Sequence, residues 1–190
     1  ATPLKVIKKA RISSFDKVGV IGAGGGLGIH MLKMLKLNNI SAIGIDTKTE
    51  KFNTCNENGA EFSVSPMEND LKNKIADYSK NYDLDVVIDF VSSKSSLELG
   101  CSILGKGGRL VTLGGSGEQF LANSADMLVK ELELIGSRYC TKQELKESLD
   151  LYARGLIEPL VSVKTDFDGA EGLHDKIEKG EITGRAGILI

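Results

Sequence analysis

The feature that most constrains this chain is a regular alternation of short apolar runs with longer segments of helical periodicity, sustained from residue 18 to residue 113. Runs such as DVVIDF hold adjacent apolar residues, so both faces of each strand are expected to be covered. Parallel strands need crossovers of this length, and such crossovers place helices on both faces of one sheet. The pattern predicts an α/β fold with a doubly wound parallel sheet and a short C-terminal extension.

The predicted elements divide the chain into two parts. The strands of the regular part are predicted at Val18–Ile21, Ala42–Ile45, Glu61–Val64, Asp85–Phe90 and Arg109–Leu113. The helices between them are predicted at Gly25–Leu37, Lys48–Asn58, Glu68–Lys80 and Ser95–Leu104. After Gly117 the pattern loosens, with a sixth strand at Leu132–Ile135 and then alternating helices and strands at Gln143–Arg154, Leu160–Val163, Asp168–Lys179 and Gly187–Ile190. We expect a domain over residues 1–140 and an extension over residues 141–190.

Composition and charge exclude several functional classes. Hydrophobic residues make up 41% and charged residues 26% of the 190 residues, as in ordinary globular proteins. A net charge of −2 gives no electrostatic reason to expect nucleic acid or an anionic membrane as partner. No apolar run approaches the roughly 20 residues of a membrane span, and no signal peptide is recognisable. Cys55, Cys101 and Cys140 lack pairing or metal-ligand spacing, which indicates a reduced, cytoplasmic setting.

A glycine-rich segment lies where the first strand meets the first helix. It reads Gly22-Ala23-Gly24-Gly25-Gly26-Leu27-Gly28, which fits G-x-x-G-x-x-G and is one residue longer than G-x-G-x-x-G. A helix start offers unpaired N–H groups and a positive dipole end to a phosphate. Glycine permits the sharp turn and the close approach of backbone to ligand. The segment therefore predicts a pyrophosphate site formed by Gly22, Gly25, Gly26, Leu27 and Gly28.

The second strand ends in an acidic residue at the position expected for a ribose ligand. Asp46 lies 18 positions after Gly28, close to the usual offset of about 20. A carboxylate there accepts hydrogen bonds from ribose hydroxyls and repels a 2′-phosphate, which favours NAD over NADP. The alternative is a helix cap, since Asp commonly precedes a helix. Lys48 and Lys51 follow and could contact the ribose or remain solvated.

The order of these motifs resembles one family. GAGGGLG, IGID, DVVIDF and GKGGRLVTLGG are similar to the Rossmann cofactor domain of medium-chain, zinc-dependent alcohol dehydrogenases. The tail GLIEPLVSV…GAEGLHDKIEKGEITGRAGILI is similar to the C-terminal end of that family. The resemblance covers practically the whole chain. It implies an NAD(H)-binding Rossmann domain that positions the nicotinamide for hydride transfer with an alcohol or aldehyde.

The resemblance also assigns roles to individual positions. Gly25, Gly26 and Leu27 match pyrophosphate-binding positions, Asp46 matches the ribose acid, and Lys51 matches a lysine that reaches the same ribose. The remaining matches lie beside the adenine and its ribose (Phe90, Val91), near the nicotinamide (Leu113, Gly114, Gly115, Thr2) and on the pyrophosphate (Arg185).

The zinc-binding half of the family has no counterpart in this sequence. We expect no catalytic residue and no metal ligand within the chain, with zinc bound only by a catalytic domain outside it. His30 and His174, the only histidines, lie in predicted helices without partner ligands at useful spacing and are predicted to be surface residues. The extension is expected to pack on the Rossmann domain and on the missing catalytic domain.

Three functional hypotheses remain open at this point. The first is the cofactor-binding fragment of an NAD-dependent alcohol dehydrogenase, inactive by itself. The second is a stand-alone NAD-sensing regulatory module, which the fold alone does not distinguish. The third is an S-adenosylmethionine methyltransferase, which the long glycine run disfavours. A homo-oligomer formed through the domain edge, within Glu118–Ile135, is also expected, because an exposed edge strand can pair across a twofold axis.

Overall fold

Six parallel strands form a single sheet in the order β3-β2-β1-β4-β5-β6. The structure, a computed structural model, describes residues 1–80 and 83–190. The strands are β1 (Lys17–Ile21), β2 (Ser41–Ile45), β3 (Ser63–Val64), β4 (Leu84–Asp89), β5 (Leu104–Thr112) and β6 (Glu133–Gly136). All neighbouring pairs are parallel, and the strand order is that of the dinucleotide-binding doubly wound fold. The predicted fold class is therefore confirmed.

Eight α-helices and a second, small sheet complete the described part of the chain. The helices are α1 (Thr2–Lys9), α2 (Gly28–Leu37), α3 (Phe52–Glu57), α4 (Leu71–Ser79), α5 (Lys94–Ser102), α6 (Ser124–Lys130), α7 (Lys142–Ala153) and α8 (Ala170–Glu178). A 3₁₀ turn at Thr49–Lys51 precedes α3, and β7 (Val161–Thr165) pairs in parallel with β8 (Arg185–Ile188). None of the described helices has the length and apolar composition needed to cross a bilayer.

The continuous apolar runs supply two cores, one on each face of the large sheet. Val18 and Val20 of β1 point into a core with α1 and α2, whereas Ile21 points into a core with α4 and α5. Successive strand residues face opposite sides, so a strand between two layers must be apolar at every position. This is why the sequence shows runs here and not alternation.

Three predicted boundaries are wrong for identifiable reasons. Leu104, which we predicted as the end of the helix after β4, is instead the first residue of β5 and pairs with Leu84. The register of β4 and β5 shifts between this pair and the rest of the ladder. Helix α2 begins at Gly28 and not at Gly25, because the preceding glycines form the turn. The last strand covers Arg185–Ile188 and not Gly187–Ile190, because its pairing with β7 sets its position. Helices α1 and α6 were not predicted.

Helix α1 is attached to the sheet by a largely buried ion pair. Arg109 of β5 donates to the Asp16 carboxylate, and both side chains are only 13% and 12% exposed. The same guanidinium donates to the carbonyl oxygens of Ala10, at 2.6 Å, and Arg11, at 3.1 Å. Arg109 therefore fixes the chain between α1 and β1 against β5.

We predict that Arg109→Ala lowers the free energy of unfolding by roughly 3 kcal/mol, because it leaves the Asp16 carboxylate and two backbone carbonyls without their donor. Urea denaturation followed by circular dichroism measures the change. The matched control is Arg154→Ala, since the Arg154–Asp150 pair on α7 is 62% and 63% exposed and should contribute under about 1 kcal/mol. Equal losses in the two variants would contradict the prediction.

Candidate functional site

A cleft of about 680 Å³ opens at the carboxyl ends of β1, β2 and β4. The strand order reverses at β1, which lies between β2 and β4, and open α/β sheets bind their ligands at such a switch point. Ten of the predicted site residues line this cleft: Gly22, Gly25, Gly26, Leu27, Gly28, Asp46, Lys51, Phe90, Val91 and Arg185. The fold thus brings together residues from the first strand and from the last strand of the chain.

The glycine loop reverses direction sharply as it leaves β1. Gly22 adopts φ +75°, its amide donates to Ile45 at 2.9 Å, and its carbonyl accepts from Gly25 at 3.1 Å. A Cβ at Gly28 would lie 2.2 Å from the Gly22 carbonyl oxygen and 2.5 Å from that of Ala23. Only glycine fits at position 28, and α2 can therefore start directly against the turn with its positive end towards the cleft.

Asp46 holds the loop as well as facing the cleft. The residue is 9% exposed, its Oδ2 accepts from the Gly24 amide at 2.8 Å, and its Oδ1 accepts from the Lys48 amide at 3.0 Å. An ionised carboxylate offers about four lone-pair sites, so each oxygen keeps acceptor capacity for a ligand hydroxyl. Asp46 is not the helix cap considered above as the alternative, because the 3₁₀ turn that follows it has Lys48 at its N-cap, without a side-chain cap bond. The bond from the Lys48 amide is a local turn contact and leaves the carboxylate facing the cleft.

Lys51 is attached to the C-terminal segment. It is 5% exposed, and its Nζ donates to the Ile182 carbonyl at 2.8 Å. Two residues further on, the Gly184 amide donates to the Gly24 carbonyl at 3.0 Å. The segment that carries Arg185 is thereby fixed to the glycine loop. The predicted contact of Lys51 with a ribose stays a prediction, and the structure adds this bridging role.

Arg185 lies directly on the glycine loop. A Cβ at Gly26 would come within 2.8 Å of the Arg185 Nε and 2.9 Å of its Cζ. The guanidinium is thus placed beside the backbone of Gly26 at the mouth of the cleft. A planar cation beside a helix N-terminus is well suited to an anionic ligand, because both contribute positive potential and Arg can bind phosphate oxygens in pairs.

The opposite wall of the cleft is organised by a buried carboxylate that sequence reasoning did not assign to the site. Asp89, at the end of β4, is 0% exposed. It accepts from the amides of Val91 at 2.8 Å and Ser92 at 3.0 Å, and from the Ser96 hydroxyl at 2.7 Å. These bonds fix the turn that presents Phe90 and Val91. The signal in the sequence was an acid that ends a buried strand, followed by a Ser-x-x-Ser cap.

Other lining residues were also missed, because their side chains carry no motif. They are apolar or small and come from the ends of β1 and β2, from the segment before α4, and from α5 and its N-cap: Ile21, Ile45, Thr47, Pro66, Met67, Ser93, Ser95, Ser96 and Leu99.

Four predicted residues do not line this cleft. Leu113 packs against the core, and the Gly114 amide donates to the Ser92 hydroxyl at 2.8 Å, so the turn after β5 is tied to the end of β4. Gly115 is exposed at the same end of the sheet. Thr2 lines a separate, mainly apolar cavity of about 500 Å³ that also contacts Leu27 and Arg185. Their predicted roles near a nicotinamide stay predictions.

His30 is not the surface residue that we predicted. It is half-buried on α2, its Nδ1 lies 2.7 Å from the Gly26 carbonyl oxygen, and its Nε2 accepts from the Leu160 amide at 3.2 Å. Burial lowers the pKa of His30 below its ordinary value of 6.5. The prediction was wrong because the partner, Leu160, is 130 positions away. His174 is exposed, as predicted.

The strand order, the loop that opens α2 and the acid that ends β2 together define a Rossmann domain. The chain belongs to the zinc-binding dehydrogenase family, whose profile matches residues 26–154. The predicted family resemblance is confirmed. An NAD-dependent alcohol dehydrogenase of Sulfolobus acidocaldarius is 27% identical over 187 residues, which are 97% of this chain and 53% of the relative.

Solved structures agree with this assignment. The alcohol dehydrogenase of Aeropyrum pernix superposes with a TM-score of 0.88 at 28% identity, over 97% of this chain and 54% of that one. Acetophenone reductase from Geotrichum candidum, solved in complex with NAD, superposes with a TM-score of 0.81 at 27% identity, over 97% of this chain and 51% of that one. The chain spans about half the length of the curated relatives it matches.

We predict that Gly28→Ala destabilises the fold by about 2 kcal/mol or more, because the added Cβ meets backbone oxygens that cannot move independently. The control is Gly172→Ala in α8, where a Cβ meets nothing within 4 Å and helix propensity favours alanine by about 1 kcal/mol. Thermal denaturation should shift downwards for the first variant and slightly upwards for the second. A neutral Gly28→Ala would rule out the close approach of loop and helix.

Proposed function

We propose that this chain is the NAD(H)-binding part of a zinc-type alcohol dehydrogenase and that it holds the nicotinamide in place for hydride transfer with an alcohol or aldehyde. The observation that carries the proposal is the convergence of three elements on one cleft: the glycine loop at the start of α2, Asp46 and Arg185. Relatives of the family that are named NAD-dependent alcohol dehydrogenases support the choice of cofactor.

The residues of the cleft fit each part of a dinucleotide. A volume of about 680 Å³ is within the range of small-molecule sites. Asp46 would accept from the adenosine ribose hydroxyls, and Phe90 and Val91 would flank the adenine. The backbone at Gly25, Gly26 and Leu27, with Arg185, would hold the pyrophosphate. A Cβ at Gly26 would displace the guanidinium from its place against the loop.

The nicotinamide half would extend from the pyrophosphate towards the ends of β4 and β5, where Leu113, Gly114 and Gly115 lie. Thr2 lines the neighbouring cavity, which shares Gly26, Leu27 and Arg185 with the cleft. The nicotinamide supplies the hydride chemistry when bound, and the contribution of this chain is orientation. Among residues 1–80 and 83–190, no three His, Cys, Asp or Glu side chains lie close enough together to hold a metal ion. We propose, from the family resemblance, that the zinc is bound by the remainder of the enzyme.

Helix α7 presents an exposed apolar surface that the rest of the enzyme could contact. Leu145, Leu149 and Tyr152 follow one another at helical spacing and are 47%, 56% and 56% exposed. They border the cavity that Thr2 lines, next to the glycine loop. An apolar stripe beside a cofactor cleft suits a second domain that closes over it. We propose that residues 141–190 lie between the cofactor domain and the catalytic domain.

The function is tested by titrating the chain with NADH and following the fluorescence of the reduced nicotinamide. We expect saturable binding and, in the same preparation, no oxidation of alcohols with NAD. Turnover of an alcohol would refute the assignment of catalysis to a separate part of the enzyme. The lack of any NADH binding at millimolar concentration would refute the cofactor assignment itself.

Single substitutions identify the groups that bind. Asp46→Asn should weaken NADH binding by roughly tenfold or more, because the hydrogen bonds lost are to a charged group. The same substitution should reduce the ratio of NADH affinity to NADPH affinity. Arg185→Ala should weaken the binding of both NADH and NADPH and should make their affinities less dependent on salt concentration. Matched controls are Asp168→Asn and Arg154→Ala, whose side chains lie outside the cleft. A variant at Asp46 with unchanged selectivity would contradict the ribose assignment.

We further propose that two copies associate through the edge of the sheet within Glu118–Ile135. Strand β6 is the last strand of the sheet, and Leu128, Val129 and Leu134 beside or on it are 78%, 71% and 42% exposed. An apolar edge of this kind is normally covered.

We expect light scattering to give the mass of a dimer, and Val129→Asp to shift it to that of a monomer. Phe15→Asp, at a residue that is 92% exposed before β1, is the control and should leave the dimer intact. A monomeric parent chain would refute the association.

A further inference from the structure

The imidazole of His30 connects the glycine loop to the C-terminal segment. On one side its Nδ1 lies 2.7 Å from the carbonyl oxygen of Gly26, in the loop. On the other side its Nε2 lies 3.2 Å from the amide of Leu160, the residue immediately before β7. The ring is half-buried between these groups. Among residues 1–80 and 83–190, no other side chain joins the glycine loop to Leu160 by hydrogen bonds.

The chemistry of the two partners determines the protonation of the ring. A carbonyl oxygen only accepts, so Nδ1 must carry the proton, and a backbone amide only donates, so Nε2 must be bare. The neutral form fits the surroundings. Burial is the largest influence and lowers the pKa of His30. The hydrogen bond to the Gly26 carbonyl opposes this shift, and the positive charges of Arg185 on β8 and Lys33 on α2 lower the pKa further.

Leu160 in turn positions Arg185. The Leu160 carbonyl accepts from the Arg185 amide at 2.8 Å, where β7 and β8 meet. The guanidinium of Arg185 returns to the loop and lies against Gly26. The contacts therefore begin and end at Gly26. The Gly26 carbonyl contacts the His30 ring, the ring binds the Leu160 amide, and the Leu160 carbonyl binds the Arg185 amide. The Arg185 side chain then lies against Gly26. Lys51 and Gly24 bind Ile182 and Gly184, the residues that precede Arg185. His30 binds Leu160, which pairs with Arg185 on the neighbouring strand.

We propose that His30 is a positioning residue for cofactor binding: as the Nδ1-protonated neutral ring, it holds Leu160, and through Leu160 the pyrophosphate-binding Arg185, at a set distance from the glycine loop. The proposal rests on the proposed function for the role of Arg185. His30 itself lines the neighbouring cavity and not the cleft, so its effect on the cofactor passes through Arg185.

The test is a double-mutant cycle measured by NADH titration. His30→Leu removes both hydrogen bonds and should weaken binding about fivefold, which corresponds to about 1 kcal/mol, the size of a typical net hydrogen-bond contribution. His30→Gln keeps an acceptor for the Leu160 amide and should recover most of the affinity. In an Arg185→Ala background His30→Leu should cause little further loss, because the residue through which it acts has been removed. A purely structural role would give the same fivefold loss in both backgrounds and would overturn the proposal.

Two measurements on the cofactor-free chain keep the test independent of cofactor binding. Nitrogen-15 spectra of the histidine ring should show the Nδ1-protonated tautomer at pH 7.5, and an Nε2-protonated ring would overturn the proposal even if His30→Leu failed to fold. The Leu160 amide resonance should shift on acidification with a midpoint below 6.5, since protonation of Nε2 removes its acceptor, and should not shift in His30→Gln. If the parent chain fails to bind NADH while both spectra agree, the proposed function fails and the His30 contact stands.

Discussion

The hydrogen bond from the Gly24 amide to the buried Asp46 carboxylate is the contact on which the site depends. It joins the loop after β1 to the end of β2, so the glycine loop cannot move without the strand that carries the acid. The carboxylate is only 9% exposed and also accepts from the Lys48 amide, which makes its orientation fixed before any ligand arrives. A preorganised acceptor lowers the entropy cost of binding.

The C-terminal segment completes the site from outside the regular alternation. Contacts from Lys51 to Ile182, from Gly24 to Gly184 and from Leu160 to Arg185 bring one arginine onto a loop at the other end of the chain. The small sheet of β7 and β8 carries Arg185 at the start of β8 and so presents it to the glycine loop. Electrostatics and topology thus act together: the fold supplies a helix start, and the extension supplies a cation beside it.

The sequence predicted most of the cofactor domain because its signals are local. A strand covered on both faces must be apolar throughout, a turn at positive φ favours glycine, and a helix that starts against a carbonyl cannot carry a Cβ. Gly22, Gly28 and Asp46 could be recognised on these grounds. Asp89 could have been, since an acid that ends a buried strand must be hydrogen-bonded. The role of His30 could not be recognised, because the amide that binds its ring belongs to Leu160, which is distant in the sequence.

The order of apolar runs, glycines and acids by itself determined the sheet, its two helical layers and the position of the cleft, since each follows from hydrophobic burial and backbone sterics within a few residues. Tertiary structure alone decided the long-range hydrogen bonds. Lys51 binds the Ile182 carbonyl, His30 lies between Gly26 and Leu160, and the turn after β5 binds the Ser92 hydroxyl. The physical reason is range. Strand and turn preferences act between neighbours, whereas these hydrogen bonds join residues brought together only after the sheet and its extension have folded.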